Sequence, residues 1–153
     1  MTVVEFFDFR CPYCKASAPV VEKLLQAEPK VRLVLKDIPI LGPDSLAVAK
    51  VGEVANRHGR FKEYWDRIYA LKDKATGESA IEVAHAIGLD PAAVRKEMES
   101  PDVERVLKRN TELARNLKID GTPTFIIGSV FFPGAVSLED MRAQVAAVRK
   151  GPA

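Results

Sequence analysis

The chain has 153 residues, of which 47% are hydrophobic and 29% are charged, and its formal net charge at pH 7 is +2. This composition is typical of a globular domain and excludes a disordered or fibrous chain. The small net charge provides no basic field of the kind that attracts nucleic acid. No apolar run approaches the roughly 20 residues needed to cross a bilayer, so we expect no membrane insertion of this chain.

The N-terminal residues, from Met1 to Asp8, do not resemble a secretory signal sequence, because no basic segment is followed by an apolar one. A predicted strand begins almost at once. We therefore expect that further sequence preceded residue 1 or was removed by processing.

The first predicted elements form a βαβ unit. Thr2 to Phe9 is short, β-branched and aromatic, which predicts a buried strand. Pro12 suits the first turn of a helix, which we predict to run to Ala27. Val31 to Ile38 is a nearly continuous apolar run, which predicts a second strand covered on both faces. The crossover between the two strands should be right-handed.

A long helical stretch and a second β-rich segment follow. Prolines and capping residues mark five predicted helices, over about Pro43–Asn56, Phe61–Leu71, Ser79–Ile87, Pro91–Glu99 and Pro101–Leu117. Two short strands, Thr124–Ile127 and Val130–Phe132, flank the hairpin turn Gly128-Ser129, and Ser137 begins a last helix that runs to about Lys150. We predict a single α/β domain, with an all-helical insertion over about 43–118 between the second and third strands.

The only two cysteines, Cys11 and Cys14, are separated by two residues. A bridge between them closes a tiny ring that restrains little of the unfolded chain, so reactivity explains the pair better than stabilisation does. The pair follows a strand and opens a helix, where free N–H groups and the helix dipole favour an anion. A thiolate at Cys11 is the attacking species in disulfide exchange. Cys14, one turn further in, should be more buried.

A zinc half-site or two inert thiols are the alternatives for this cysteine pair. Zinc usually takes four ligands. The only histidines, His58 and His85, lie in the predicted helical insertion, where we expect His58 to be solvated and His85 to be packed on a helix face. We predict no metal site and no cofactor.

The segment Gly121-Thr122-Pro123-Thr124 directly precedes the third strand. Local chemistry favours a trans peptide bond before Pro123, because only about 5–6% of such bonds are cis in folded proteins.

Together, these features resemble the DsbA-like branch of the thioredoxin superfamily. The resemblance covers nearly the whole chain, and the matching segments are Val4–Lys15, Gly121–Phe125 and Pro133–Ala135. It implies a thioredoxin-like fold in which Pro123 is cis and faces the dithiol, and in which the Thr122 backbone pairs with a substrate peptide. It also implies that Cys11 is an exposed nucleophile and that Cys14 is the resolving cysteine.

The two residues between the cysteines differ from those of the strongly oxidising founder of that branch. Pro12-Tyr13 replaces a Pro-His dipeptide whose histidine helps to stabilise the reduced thiolate, so the pair is expected to be less oxidising. Pro12-Tyr13 together with Thr122 is similar to the catalytic domains of periplasmic disulfide isomerases, which carry a separate dimerisation domain that these 153 residues lack. Tyr13 should be exposed and able to touch a substrate.

Two charged residues of the predicted strands, Glu5 and Lys36, are candidates for a supporting role. A buried acid near the dithiol could accept or relay the Cys14 proton, and a nearby ammonium could hold that acid ionised. The alternative is that each side chain reaches solvent at the edge of the sheet.

The predicted function is thiol–disulfide exchange with cysteine-containing proteins or peptides in oxidative folding. It needs a redox partner that regenerates the pair, and the resemblance implies a periplasmic or other extracytoplasmic location, where disulfides persist. Disulfide reduction or isomerisation is an alternative of the same class, which the reduction potential would separate. A peptide-binding chaperone with incidental redox activity and a glutathione-dependent transferase are alternatives of other classes.

Overall fold

The computed structural model describes residues 1–151, which form a four-stranded sheet and seven helices. In chain order the elements are β1 (Thr2–Phe7), α1 (Pro12–Ala27), β2 (Arg32–Asp37), α2 (Pro43–Arg57), α3 (Phe61–Ala70), α4 (Gly77–Ala86), α5 (Pro91–Glu97), α6 (Pro101–Asn116), β3 (Thr124–Ile127), β4 (Val130–Pro133) and α7 (Leu138–Lys150). The predicted order of β-α-β, five helices and β-β-α is confirmed, and so is the α/β class with its helical insertion.

Most elements begin or end one or two residues from the predicted position, and two of these differences, at the end of β1 and at the start of α4, have local reasons. β1 ends at Phe7 and not at Phe9, because the Asp8 carboxylate accepts a hydrogen bond from the Arg10 N–H at 2.8 Å and turns the backbone. α4 begins at Gly77 and not at Ser79. Thr76 caps this helix by accepting a hydrogen bond from the Ser79 N–H at 3.1 Å, while the Ser79 hydroxyl accepts one from the Thr76 N–H.

The strand order in the sheet is β2-β1-β3-β4, so β2 lies at an edge. The Arg32 N–H donates to the Met1 carbonyl at 2.8 Å, which brings the starts of β1 and β2 together as in a parallel pair. The prediction that β2 is covered on both faces is wrong. Arg32 is exposed and the residues from Leu33 to Lys36 are only partly buried, as befits an edge strand.

One compact unit contains the sheet with α1 and α7, within residues 1–7, 11–36 and 119–151. β3 runs antiparallel to both of its neighbours, and its Phe125 lies opposite Glu5 of β1. The hairpin between β3 and β4 turns at Gly128, whose φ of 66° suits glycine. The buried core of this unit consists of Val3, Val21, Leu24, Val31, Phe125, Ile127, Met141 and Val145.

The second compact unit contains α2 to α6 and the short segment 8–10, within residues 8–10 and 37–118. The Phe9 ring is at its centre, with its centroid 5.4–6.2 Å from those of four aromatic rings, Phe61, Tyr64, Trp65 and Tyr69. Tyr64 and Trp65 of α3 are 0% and 5% exposed, so both belong to the core of this unit.

Among residues 1–151, no helix combines the length and the apolar character that a membrane span requires.

Candidate active site

Cys11 is the N-cap residue of α1, with extended backbone angles (φ −72°, ψ 119°), and Pro12 is the first helical residue. The Cys11 carbonyl accepts the first helical hydrogen bond, from the Lys15 N–H at 3.1 Å. No side chain caps this helix end. The positive end of the helix dipole is therefore directed at Cys11 and favours a negative charge at this position.

Both cysteines are in the thiol form and both are buried. Cys14 has no exposed surface and Cys11 is 5% exposed, which confirms that Cys14 is the more buried of the two. The expectation of an exposed Cys11 is wrong. The Cys11 Sγ donates a hydrogen bond to the Thr122 carbonyl oxygen at 3.4 Å, so the loop before β3 lies against the sulfur. Tyr13, by contrast, is 66% exposed, as predicted.

The Thr122–Pro123 peptide bond is cis, as the family resemblance implied, and the trans expectation from local chemistry is wrong. Contacts distant in sequence hold this loop. The Pro123 carbonyl accepts a hydrogen bond from the Gly134 N–H at 2.7 Å, and the Thr124 hydroxyl donates to the Gly121 carbonyl at 2.9 Å. Pro123 is buried and Thr122 is partly exposed, and the Thr122 carbonyl lies beside the Cys11 sulfur.

Glu5 is fully buried in β1, an interior strand of the sheet. Among residues 1–151, neither of its carboxyl oxygens has a hydrogen-bond partner. Burial in a low-dielectric environment raises the pKa of Glu5 from 4.5 to about 8. Its predicted burial is confirmed and the alternative, a side chain that reaches solvent at the sheet edge, is wrong. At neutral pH this carboxyl is mostly protonated.

Lys36 lies on the edge strand β2 and is partly exposed. Within residues 1–151, no ion pair joins Lys36 to Glu5, and burial is the cause of the raised Glu5 pKa. The expectation that this ammonium holds the acid ionised is therefore wrong. A buried acid without a cationic neighbour keeps its proton.

Two buried polar residues near these positions in the sequence were not predicted. Asp8 is fully buried, and its carboxylate accepts hydrogen bonds from four donors, the N–H groups of Arg10, Ile40 and Leu41 and the Ser45 hydroxyl, at 2.8–3.1 Å. Ser17, three residues after Cys14 in α1, is 3% exposed. Two sequence signals could have indicated these residues. One is an acid at the end of a predicted strand, and the other is a serine on the apolar face of a predicted helix, both being positions where hydrophobic residues are expected.

Neither histidine belongs to a metal site. His58 is exposed, with its Nε2 atom 2.8 Å from a Glu97 carboxylate oxygen, and His85 is also exposed, so the expectation that His85 is packed is wrong. In the described part of the chain, no three His, Cys, Asp or Glu side chains come together in a group that could hold a metal ion.

Comparisons with known proteins identify the family of this chain. Residues 1–147 match the model of a family described as Thioredoxin. A solved thioredoxin-like oxidoreductase from Silicibacter pomeroyi is 33% identical, with a TM-score of 0.94 over 99% of this chain and 87% of that one. The thiol-disulfide exchange protein alpha-DsbA2 from Wolbachia pipientis is 28% identical, with a TM-score of 0.83 over 96% of this chain and 81% of that one.

A much longer curated relative also matches. It is the Na(+)/H(+) antiporter NhaA 3 of Salinispora tropica, which is 29% identical over 147 residues. The match covers 95% of this chain, yet the chain spans only 22% of the length of that relative. From the cysteine pair at a helix N-terminus, the cis-proline loop beside it and these similarities, we conclude that the chain belongs to the thioredoxin family, in its DsbA-like branch of thiol:disulfide oxidoreductases.

Proposed function

We propose that this protein exchanges disulfides with cysteine-containing proteins or peptides through Cys11 and Cys14, in oxidative folding. The observation that carries the proposal is the position of the Cys11 sulfur, at an uncapped helix N-terminus and 3.4 Å from the Thr122 carbonyl. The helix end favours the thiolate form of Cys11, and the neighbouring carbonyl offers a place for a substrate backbone.

The reaction begins with the disulfide form. A substrate thiolate attacks the Cys11 sulfur, the bond between Cys11 and Cys14 breaks, and its electron pair leaves on the Cys14 sulfur. A second substrate thiolate then attacks the substrate sulfur of the mixed disulfide, and Cys11 leaves as a thiolate. The substrate gains a disulfide and the protein gains two electrons. The reverse sequence is reduction, and a partner must reoxidise the pair after each cycle.

Thr122 has a direct part in substrate binding. In the free dithiol its carbonyl accepts the Cys11 S–H. In the disulfide or in a mixed disulfide, Cys11 has no S–H to donate, so that carbonyl needs another donor. An extended substrate backbone N–H beside the attacked sulfur can supply it, as in the addition of a strand to a sheet. Pro123 follows this carbonyl in the cis loop, and Pro12 and Tyr13, which follow Cys11 in the chain, are exposed and available to a substrate.

Glu5 supplies the proton that the buried Cys14 thiolate takes up. Its pKa of about 8 keeps the carboxyl protonated at neutral pH while leaving it close enough to neutrality to exchange that proton. Lys36 has no part in this proposal, because it forms no pair with Glu5. The proposed site of action is extracytoplasmic, where new disulfides persist.

The test is the equilibrium of the Cys11–Cys14 pair against glutathione, together with oxidation of a reduced two-cysteine peptide. We expect the wild-type protein to oxidise the peptide and Cys11→Ser to be inactive. A reduction potential well above the roughly −270 mV of thioredoxin supports the oxidase direction, and a value near it supports reduction instead. A wild-type protein that leaves the peptide thiols unchanged contradicts the proposal. Protection of an aggregating client by a Cys11→Ala, Cys14→Ala protein would support the chaperone alternative.

A further inference from the structure

Ser17 is a buried hydroxyl in the middle of α1. It is 3% exposed, and its Oγ has no hydrogen-bond partner among residues 1–151. A serine inside a helix usually points to solvent or donates to the carbonyl four residues earlier. Ser17 does neither. An unpaired buried hydroxyl is costly, so its presence calls for a specific explanation.

Ser17 lies one turn after Cys14 in α1, although its hydroxyl has no hydrogen bond to the Cys14 sulfur in the dithiol structure. Ser17 and Cys14 are three residues apart, which places them on the same face of α1 with their Cβ atoms roughly 5–6 Å apart. Side chains on a helix lean toward its N-terminus, so we expect the Ser17 hydroxyl to reach a Cys14 thiolate from the next turn. Both residues belong to the buried face of the helix.

Ser17 belongs to a small set of buried polar side chains whose hydrogen-bonding capacity is unused. In the unit formed by residues 1–7, 11–36 and 119–151, the buried side-chain nitrogen and oxygen atoms without a partner belong to Glu5 and Ser17. Glu5, which is mostly protonated at neutral pH, gives up its proton in the reaction proposed above, whereas a serine hydroxyl donates a hydrogen bond and keeps its proton. A sulfur that leaves as a thiolate with no exposed surface must be stabilised by the protein and not by water.

We propose that the Ser17 hydroxyl donates a hydrogen bond to the Cys14 sulfur when the disulfide opens, an inference that rests on the exchange reaction proposed above. The attacking thiolate forms a bond to the Cys11 sulfur, the bond between the two cysteines breaks, and its electron pair moves to Cys14. The substrate sulfur is oxidised and Cys14 is reduced. Ser17 keeps its proton throughout and only donates a hydrogen bond, which makes Cys14 a better leaving group.

The inference predicts separate effects on reactivity and on stability. Ser17→Ala should lower the rate constant for opening of the disulfide by a thiol roughly tenfold, because hydrogen bonds to charged groups are the strong ones. Ser17→Thr keeps the hydroxyl and should keep most of the rate. Ser17→Ala should not destabilise the reduced protein, because in the reduced state it removes an unpaired hydroxyl.

The experiment measures the rate at which reduced glutathione opens the disulfide in the wild-type protein, in Ser17→Ala and in Ser17→Thr. The matched control is Ser45→Ala, which removes another buried serine hydroxyl, one that donates to Asp8 in the helical unit. A second readout is the thiolate absorbance of Cys14, titrated in a Cys11→Ala background with and without Ser17→Ala. The substitution should move the Cys14 titration midpoint up by about one pH unit.

A slow Ser17→Ala protein with wild-type-like Ser17→Thr and Ser45→Ala proteins supports the inference, as does the shift in titration. If Ser17→Ala reacts at the wild-type rate and Cys14 titrates at an unchanged pH, Ser17 only fills space and the inference is wrong, while the proposed function stands. If the wild-type disulfide does not react at all, the proposed function is wrong, and the Cys14 titration still decides on Ser17.

Discussion

The Cys11 sulfur and the Thr122 carbonyl oxygen are 3.4 Å apart although 111 positions separate the two residues in sequence. In the free protein this contact shields the sulfur of the candidate nucleophile and occupies the carbonyl oxygen beside it. In the disulfide and in a mixed disulfide Cys11 carries no S–H, so the Thr122 carbonyl has lost this donor. The sulfur that a substrate attacks and the carbonyl that can accept from the substrate backbone therefore lie side by side.

Because Cys11 is the proposed nucleophile and Cys14 the resolving cysteine, a variant without Cys14 should accumulate the mixed disulfide. Cys14→Ser should form a stable mixed disulfide with a single-cysteine peptide disulfide, because no second sulfur is present to release Cys11. Intact-mass measurement should show one peptide per protein chain. Cys11→Ser should show none, since Cys14 is fully buried. An adduct on Cys14 in that variant would contradict the assignment of the nucleophile.

The buried carboxyl of Glu5 predicts a pH-dependent stability. Its pKa is about 8 in the folded chain against 4.5 as an ordinary value, so the unfolded state binds fewer protons between these limits. The free energy of unfolding should therefore fall as pH rises from about 4.5 to 8, by at most roughly 1.4 kcal/mol per pH unit from this group. Below pH 4.5 the group should have no effect.

Glu5→Gln should reduce this slope, because glutamine stays neutral in both states. Urea unfolding of the reduced protein across this pH range measures the change. The slope should not vanish, because Asp37 also lowers the free energy of unfolding as pH rises. Burial and the charges of Asp8 and Glu53 raise the pKa of Asp37 in the folded chain. An identical slope in Glu5→Gln and wild-type proteins would show that Glu5 is ionised in the folded state.

Replacing the Asp8 carboxylate with a neutral amide should cause a large loss of stability. It accepts hydrogen bonds from three backbone N–H groups and the Ser45 hydroxyl. In Asp8→Asn, an amide NH2 must face some of these donors, so we expect a loss of roughly 2–4 kcal/mol in the free energy of unfolding. Ser45→Ala removes one donor only and should cost about 1 kcal/mol. Equal losses in the two variants would contradict this account.

Gly52 in α2 is a helix position at which alanine should destabilise the protein instead of stabilising it. Alanine usually stabilises a helix by about 0.5–1 kcal/mol relative to glycine. A Cβ atom at Gly52, however, would lie 3.1 Å from ring carbons of both Phe9 and Tyr64. We expect Gly52→Ala to lower the free energy of unfolding by roughly 1–3 kcal/mol. In a Phe9→Leu background the loss should be smaller, and a double-mutant cycle measures the coupling.

Where local chemistry decides, the sequence predicted the structure closely. α1 begins at Pro12 and ends at Ala27 as predicted, because a proline at the first helical position and an apolar stripe at helical spacing are both local features. The start of α4 was misplaced, although the Thr76 and Ser79 pair that caps it is also local. The burial of β2 was misjudged because the order of strands in a sheet depends on contacts between distant segments.

By itself, the sequence determined the cysteine spacing, the helix that begins at the first cysteine, and the order of strands and helices along the chain. Only the tertiary structure decided that Thr122 covers Cys11, that Glu5 keeps its proton without help from Lys36, and that the Ser17 hydroxyl has no partner. The physical reason is that spacing and capping involve neighbours along the chain. Desolvation and hydrogen-bond satisfaction depend instead on every atom that folding brings around a group.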